Sequence, residues 1–317
     1  TIAEIDHRLT EIERMEGNYR PYQVGLAAAL ACSAFVFLLG GGPVEMLCSF
    51  VGAGCGNFVR RKMIDRHITL LACVAVSVAV ACLLYLVPFM ALQNFWGINE
   101  RHEAGYIGAM LFIIPGFPFI TSGLDLAKLD MRSGLERAAY ALLIITVATL
   151  VGWLVALMVH LRPANFAALP LNEWQLLLLR LPASFCGVFG FSIMFNSTPK
   201  MAAMAGVIGA LGNTLRLELV DFGMAAGPAA FLGALACGLL AAIVRNRVGY
   251  PRIAITIPSV VIMVPGLYMY RAVYNLGLQS VNTGAEWLTR AMLIVLFLPL
   301  GQVAARVLTD TKWRHNG

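Results

Sequence analysis

Ten long apolar runs separated by short polar stretches make up most of this chain. They cover residues 21–40, 44–59, 68–92, 107–124, 135–161, 174–195, 201–215, 222–244, 253–274 and 287–307. A helix needs about 20 apolar residues to cross the hydrocarbon core of a bilayer. The pattern therefore predicts an all-α integral membrane protein with ten transmembrane helices. The second and seventh runs fall below that length, so we expect two short helices there.

The charged residues are few and cluster between these runs. Of the 317 residues, 59% are hydrophobic and 13% are charged. If the N-terminus is cytoplasmic, most of the 23 Lys and Arg residues fall in cytoplasmic segments, as the positive-inside rule requires. We therefore expect a multi-pass protein with both termini in the cytoplasm. The net charge of +6 then reflects contacts with the membrane surface and its lipids, and it does not indicate nucleic-acid binding.

The cysteines and histidines do not form a metal-binding pattern. All seven cysteines lie inside apolar runs, and the five histidines lie at span ends or in tails. There is no CxxC pair and no histidine at ligand spacing from a cysteine. We expect neither a metal site nor a cofactor.

Four short motifs occur twice, in the same order. GGGP (40–43) corresponds to NSTP (196–199) and GNFVR (56–60) to GNTLR (212–216) at an offset of 156; IPG (114–116) corresponds to VPG (264–266) and SGLE (133–136) to TGAE (283–286) at an offset of 150. This indicates an internal duplication. Five spans per half is an odd number, so the second half enters the membrane in the opposite sense. Such inverted repeats are common among secondary transporters, with the site near the membrane midplane.

The duplication divides the chain into three parts. Residues 1–20 are polar with apolar residues at helical spacing, and they predict an N-terminal cytoplasmic amphipathic segment. Residues 21–162 form the first five-helix half. Residues 163–317 form the second half, with a short cytoplasmic C-terminal tail.

The two Pro-Gly pairs lie inside the fourth and ninth spans. Proline removes a backbone donor and clashes with the preceding turn, so Pro115-Gly116 and Pro265-Gly266 predict broken helices. A packing kink is one interpretation. The other is a substrate-binding site, because half-helix ends and freed carbonyls bind polar ligands.

The GNxxR motifs place Asn57 with Arg60, and Asn213 with Arg216, about one helical turn apart. The structural interpretation is a snorkelling arginine beside a capping asparagine. The functional one is recognition of a carboxylate, for which arginine offers a bidentate fork. The sharpest expectation is one cavity between the halves, lined by both Pro-Gly segments and both GNxxR helices.

Other polar residues complete the candidate set. Asp125 is the candidate for proton coupling, although an exposed acid near a loop is an equal interpretation. Tyr268, Arg271 and Asn196 are further candidates for substrate contacts. Ser133-x-x-Glu136 and its counterpart at 283–286 predict capping boxes that open the fifth and tenth helices.

The segments IPGFPFITSGLDLAKLDMRSGLERA, FNSTPKMAAMAGVIGALGNTLRLEL and PSVVIMVPGLYMYRA carry a family resemblance. Through them the chain resembles the threonine/serine exporter family of bacterial membrane proteins, which shares the five-plus-five plan. The resemblance implies export of small amino acids across the bacterial cytoplasmic (inner) membrane, driven by protons. Two-subunit relatives are similar to dicarboxylate exporters of the succinate type, so a dicarboxylate is the alternative substrate. Assembly into a homo-oligomer is a further open expectation.

Two other function classes are less favoured. A membrane-embedded enzyme would need a motif such as GxSxG or HExxH, and the chain has neither. A passive channel is compatible with a repeat and broken helices.

Overall fold

The computed structural model describes residues 2–14, 17–96, 103–161 and 169–314. Within these ranges the regular structure is helical throughout, which confirms the predicted all-α class. The helices are α1 (Ile2–Arg14), α2 (Pro21–Leu38), α3 (Pro43–Asp65), α4 (Leu70–Trp96), α5 (Glu103–Met110, extended by a 3-10 turn at Leu111–Ile113), α6 (Gly116–Ala127), α7 (Met131–Met158), α8 (Glu173–Met194), α9 (Pro199–Asp221), α10 (Ala226–Val248), α11 (Arg252–Val261), α12 (Gly266–Gly277), α13 (Val281–Thr309) and α14 (Thr311–Arg314).

The same neighbours recur in the two parts of the chain. Helix α3 packs between α2 and α4, and α9 packs between α8 and α10. Helix α6 lies on α7, and α12 lies on α13. The parts meet where α2 contacts α8, where α6 contacts α13, and where α7 contacts α12.

Seven of the described helices are long and apolar enough to cross a membrane, and nine segments qualify if each bent pair counts as one span. Helix α3 is not among them. It carries Glu45 in its first turn and Arg60, Arg61, Lys62 and Asp65 in its last two turns. The predicted count of ten therefore depends on α3.

The expectation of two short helices is wrong. Helices α3 and α9 each have 23 residues, which is about 35 Å at the helical rise per residue. The apolar runs end near Arg60 and Arg216, but no proline or glycine comes directly after either arginine; α9 continues to Asp221, just before Gly223. The last turns are thus helical and polar.

The chain breaks at both Pro-Gly pairs, as predicted. The bend between α5 and α6 is 60°, and the bend between α11 and α12 is 48°. In each case the proline directly precedes the new helix, which starts at Gly116 or Gly266. A short backbone hydrogen bond spans each break: Gly116 N donates to Ile114 O (2.8 Å), and Gly266 N donates to Val264 O (2.9 Å). Some of the carbonyls expected to be free are thereby satisfied.

The predicted capping boxes are wrong. Helix α7 begins two residues before Ser133, and the side chain of Asp130 accepts from Ser133 N at 3.3 Å. Glu136 pairs instead with Arg132 one turn away. In the second part α13 begins at Val281, and Glu286 pairs with Arg290. Because each helix begins two residues before the predicted cap, Ser133 and Thr283 lie inside the first turn and cannot act as N-caps.

Candidate functional site

A cavity of about 210 Å³ opens beside the first Pro-Gly break. The start of α6, the C-terminal half of α3 and the ends of α2 and α8 surround it. It is lined by Val24, Asn57, Arg60, Arg61, Ile64, Phe112, Ile113, Ile114, Pro115, Gly116, Phe117, Pro118, Tyr140, Ile144, Met194 and Phe195. Both parts of the chain thus contribute to one polar space, which includes four of the predicted site residues.

The polar groups of this cavity differ in what they can bind. Asn57 is 1% exposed, and its Nδ2 donates to Val24 O at 3.0 Å. Its Oδ1 is buried and accepts no hydrogen bond from the described residues, so it is an acceptor for an ammonium group. Arg60, Arg61 and the N-terminal end of α6 provide donors and positive charge for a carboxylate.

The second Pro-Gly break has the same backbone but different surroundings. Asn213 is 1% exposed, and its Nδ2 donates to Ser184 Oγ at 2.9 Å. Arg216 has a buried Nε without an acceptor among the described residues. Neither residue lines the cavity at the first break, so the expected single cavity with both Asn-Arg pairs does not occur in this structure.

Large side chains fill the region around the start of α12. Tyr268 packs against Trp287 with ring centroids 5.3 Å apart. The guanidinium of Arg271 lies 4.8 Å from the centroid of the Trp287 ring, and that of Arg290 lies 5.1 Å from the same centroid. Arg271 is only 7% exposed. These residues make one aromatic and cationic cluster.

Ion pairs around one buried arginine add to this packing. Arg180 occupies the position that corresponds to Val24, 156 residues earlier. It is 9% exposed and pairs with Glu218 at 2.7 Å and with Asp221 at 2.5 Å. A valine at the first break therefore leaves room that an ion-paired arginine occupies in the second part.

The two breaks contact each other, as predicted. A Cβ added at Gly266 would lie 2.2 Å from Ile114 Cδ1, and one added at Gly116 would lie 3.0 Å from Val261 Cγ1. Between them remains a void of only about 10 Å³. Its lining consists of three pairs at the repeat offsets: Phe35 with Phe191, Leu111 with Val261, and Ile114 with Val264. We call these six residues the apolar plug.

Two predicted site residues lie elsewhere. Asn196 is exposed in the loop between α8 and α9, where its Oδ1 accepts from Asn18 N at 2.8 Å. Asp125 lies in the last turn of α6, and its Oδ2 accepts from Arg137 Nη1 at 2.6 Å. Neither lines the cavity.

Sequence reasoning missed three residues. Arg61 and Tyr140 line the cavity. Glu45 is 4% exposed, and its Oε2 accepts from Gly42 N at 2.9 Å at the start of α3. The signal for Glu45 was present, since an acid three residues after a potential N-cap, with a proline at the first helical position, is typical of a helix start. Tyr140 could not be found, because it comes from α7, some 80 residues beyond Arg60.

Comparisons with known proteins agree with this architecture. Residues 1–160 match the family model described as "Putative threonine/serine exporter". Residues 180–308 match the model described as "Threonine/Serine exporter, ThrE". No solved structure matches the chain.

Curated relatives match one part of the chain. An "Uncharacterized protein" of Haemophilus influenzae is 30% identical over 135 residues, which is 39% of this chain and 45% of that protein. The "Probable succinate transporter subunit YjjP" of Escherichia coli is 27% identical over 158 residues, 48% of this chain and 57% of that protein. The chain thus spans about half the length of the curated relatives it matches. The two family models, by contrast, cover almost all of it, and the chain therefore belongs to the threonine/serine exporter family.

Proposed function

We propose that this protein is a secondary transporter that exports a small amino acid of the threonine or serine type across the bacterial cytoplasmic membrane. The observation that carries the proposal is the cavity at the first Pro-Gly break. Its volume of about 210 Å³ lies below the range of about 300–1,000 Å³ that drug-sized ligands occupy. It therefore suits a small metabolite.

The cavity has the two polar ends that a zwitterion needs. Arg60, Arg61 and the N-terminus of α6 bind the carboxylate. The free Oδ1 of Asn57 accepts from the ammonium group. Phe112 and Ile144 form apolar walls for the side chain.

The proposed topology has ten spans in two halves of opposite orientation, with α3 as the tenth. Equal lengths support it, since α3 and α9 have 23 residues each and α6 and α12 have 12 each. The recurring helix neighbours support it as well. An apolar groove of about 610 Å³ between α6, α7, α12 and α13 is a third support for two related halves. Several of its lining residues form pairs at the offset of 150, such as Phe119 with Met269 and Leu126 with Leu276. Both termini then face the cytoplasm, and so does the cavity.

Transport then requires the two breaks to exchange roles. In this structure the apolar plug separates the open cavity from the filled region around α12. Rocking one half against the other would open the second region and close the first. We assign this arrangement to the state open to the cytoplasm, which an exporter needs for loading.

A dicarboxylate of the succinate type is the second candidate. Two arginines and no acidic residue line the cavity among the described residues, which favours a substrate with excess negative charge. The relative from Escherichia coli bears the name of a succinate transporter subunit.

One transport experiment decides between the candidates. Purified protein in proteoliposomes is loaded with labelled threonine, serine or succinate, and efflux is followed with and without an imposed proton gradient. We expect saturable uphill efflux of threonine and serine. Uphill efflux of succinate alone establishes the second candidate, whereas downhill flux alone for every solute would contradict a secondary transporter and indicate a channel.

We further propose the proton as the coupling ion and Asp125 as the residue that carries it. Replacing Asp125 with Asn removes the titratable group, whereas replacing Arg137 with Gln removes its partner but keeps the acid. We expect proton-driven efflux to be lost in the first variant and retained in the second. Equal loss in both would show that the ion pair matters only for structure.

A further inference from the structure

A second polar cavity, of about 570 Å³, lies where the end of α10, the start of α11 and the end of α13 meet. Arg245, Arg252, Arg306 and Asp310 line it together with Tyr250. It shares no residue with the cavity at the first Pro-Gly break. Among the described lining residues, three cationic side chains face one acidic side chain, so this part of the cavity wall is electropositive.

Arg252 is held in place as part of the wall. It is 8% exposed, its Nη1 donates to Thr309 Oγ1 at 2.8 Å, and its Nη2 donates to Gly238 O at 3.0 Å. The Nε–H of the same guanidinium is buried and has no acceptor among the described residues. A buried donor without an acceptor is costly, so an acceptor beyond those that the described residues provide would stabilise Arg252 here.

Arg306 on α13 shares one of these features. Its Nε is also buried without an acceptor in the described part of the chain. Its guanidinium lies 5.6 Å from the centroid of the Trp313 ring, which fixes its orientation. Two oriented arginines on different helices thus each keep one donor unused.

The remaining groups do not neutralise this charge. Asp310 Oδ2 lies 3.8 Å from Arg245 Nη1, so the one carboxylate is shared with the more exposed arginine. Helix α11, of ten residues, begins at Arg252 and points its positive N-terminal end toward the cavity. Helix N-termini of this kind bind phosphate and other anions.

We propose that this cavity binds a phosphate group. Donors converge from three helices, which suits a tetrahedral anion with oxygens in several directions better than a planar carboxylate with two. The group is either the headgroup phosphate of an anionic lipid or a free phosphate. The half-buried Tyr250 and the 41% exposed Ile253 at the rim provide apolar contacts beside the charges, as a headgroup at a membrane surface requires.

The test uses the full chain in detergent and two probes, and it does not depend on the transported substrate. Binding of inorganic phosphate is measured by equilibrium dialysis at constant ionic strength. Retention of phosphatidylglycerol is measured against phosphatidylcholine after delipidation. The variants are Arg306→Gln and Arg245→Gln, and the matched control is Arg132→Gln, which removes the same charge from a side chain that is 90% exposed on α7.

We expect saturable binding of at least one probe, weakened about tenfold or more in both cavity variants and unchanged in the control. Binding of phosphatidylglycerol alone identifies the lipid as the source, and binding of phosphate alone identifies the free anion. Absence of binding to both probes, or equal weakening in Arg132→Gln, would overturn the proposal.

Two further measurements keep the result interpretable. Arg245 is half exposed, so Arg245→Gln should fold even if Arg306→Gln does not, and the thermal unfolding midpoint checks both. Asp310→Asn removes the single carboxylate and should strengthen anion binding severalfold. Weaker binding in Asp310→Asn would contradict the assignment of an anion site.

Discussion

The first and second Pro-Gly breaks share one backbone but differ in what surrounds it. At the first, Pro118 and Tyr140 border an open cavity. The residues 150 positions later are Tyr268 and Arg290, and both lie against Trp287. Two similar backbones therefore border one open and one filled region, and the side chains make the difference.

The asymmetry extends to the two asparagines. Asn57 bonds to a backbone carbonyl and lines the cavity, whereas Asn213 bonds to the hydroxyl of Ser184 away from it. Position 28, which corresponds to Ser184, is an alanine. Both asparagines keep a buried Oδ1 that accepts no hydrogen bond from the described residues, so the difference is that only Asn57 borders the cavity.

The largest expected effect is the change in KM when an arginine beside one of the breaks is replaced. Arg60→Gln removes a charge from the open cavity, and we expect the KM for export to rise about 10- to 100-fold, since hydrogen bonds to charged groups contribute about 1.5–3 kcal/mol. Arg216→Gln at the filled break should leave KM nearly unchanged. The check is the concentration dependence of efflux in proteoliposomes at equal protein content. Equal rises in both variants would remove the functional difference between the breaks.

The asparagines should show a smaller effect. Asn57→Ala removes a neutral hydrogen-bond partner of the substrate, so KM should rise about 2- to 12-fold. Asn213→Ala should lower the maximal rate of export with little change in KM, because it loosens the packing of α9 on α8. Ser184→Ala is the control, since it removes the partner of Asn213 without touching the asparagine. If Asn213→Ala exports like the parent, that residue has no part in transport.

The contact between the breaks should respond unequally to added methyl groups. A Cβ at Gly266 would meet Ile114 and Leu111 at 2.2 and 2.6 Å, whereas one at Gly116 would meet Val261 at 3.0 Å. We expect Gly266→Ala to cost about 1–3 kcal/mol of stability through overpacking, and Gly116→Ala less. Thermal unfolding in detergent measures both. A reversed order would mean that the two breaks are not packed as described.

The smallest effect concerns the helices that follow the breaks. Asp130 caps α7 through Ser133 N, so Asp130→Ala should cost about 0.5–2 kcal/mol. Ser133→Ala should be close to neutral, because its side chain does not act as the cap. Unfolding midpoints of the two variants, with unchanged export in both, would support this. A larger loss of stability in Ser133→Ala than in Asp130→Ala would instead support the capping box that the sequence predicts.

Much of the fold was predictable because it depends on local rules. Apolar runs of the length of a bilayer indicate spans, and proline and glycine side by side interrupt a helix whatever its neighbours. The duplicated motifs also paired the correct elements, since the breaks at Gly116 and Gly266 do meet. Helix lengths were harder to predict, because the polar last turns of α3 and α9 continue the helix while ending the apolar run.

The sequence by itself determined that the chain forms a helical membrane protein with two broken helices and a repeated plan, because periodicity, hydropathy and backbone chemistry act within a few residues. Only the tertiary structure decided that Arg61 and Tyr140 share a cavity with Asn57, that Asn196 and Asp125 lie outside it, and that Arg252 and Arg306 form a second polar site. These outcomes depend on which side chains fill the space between helices distant in sequence. Packing of that kind is set by volume and contact, and no local pattern encodes it.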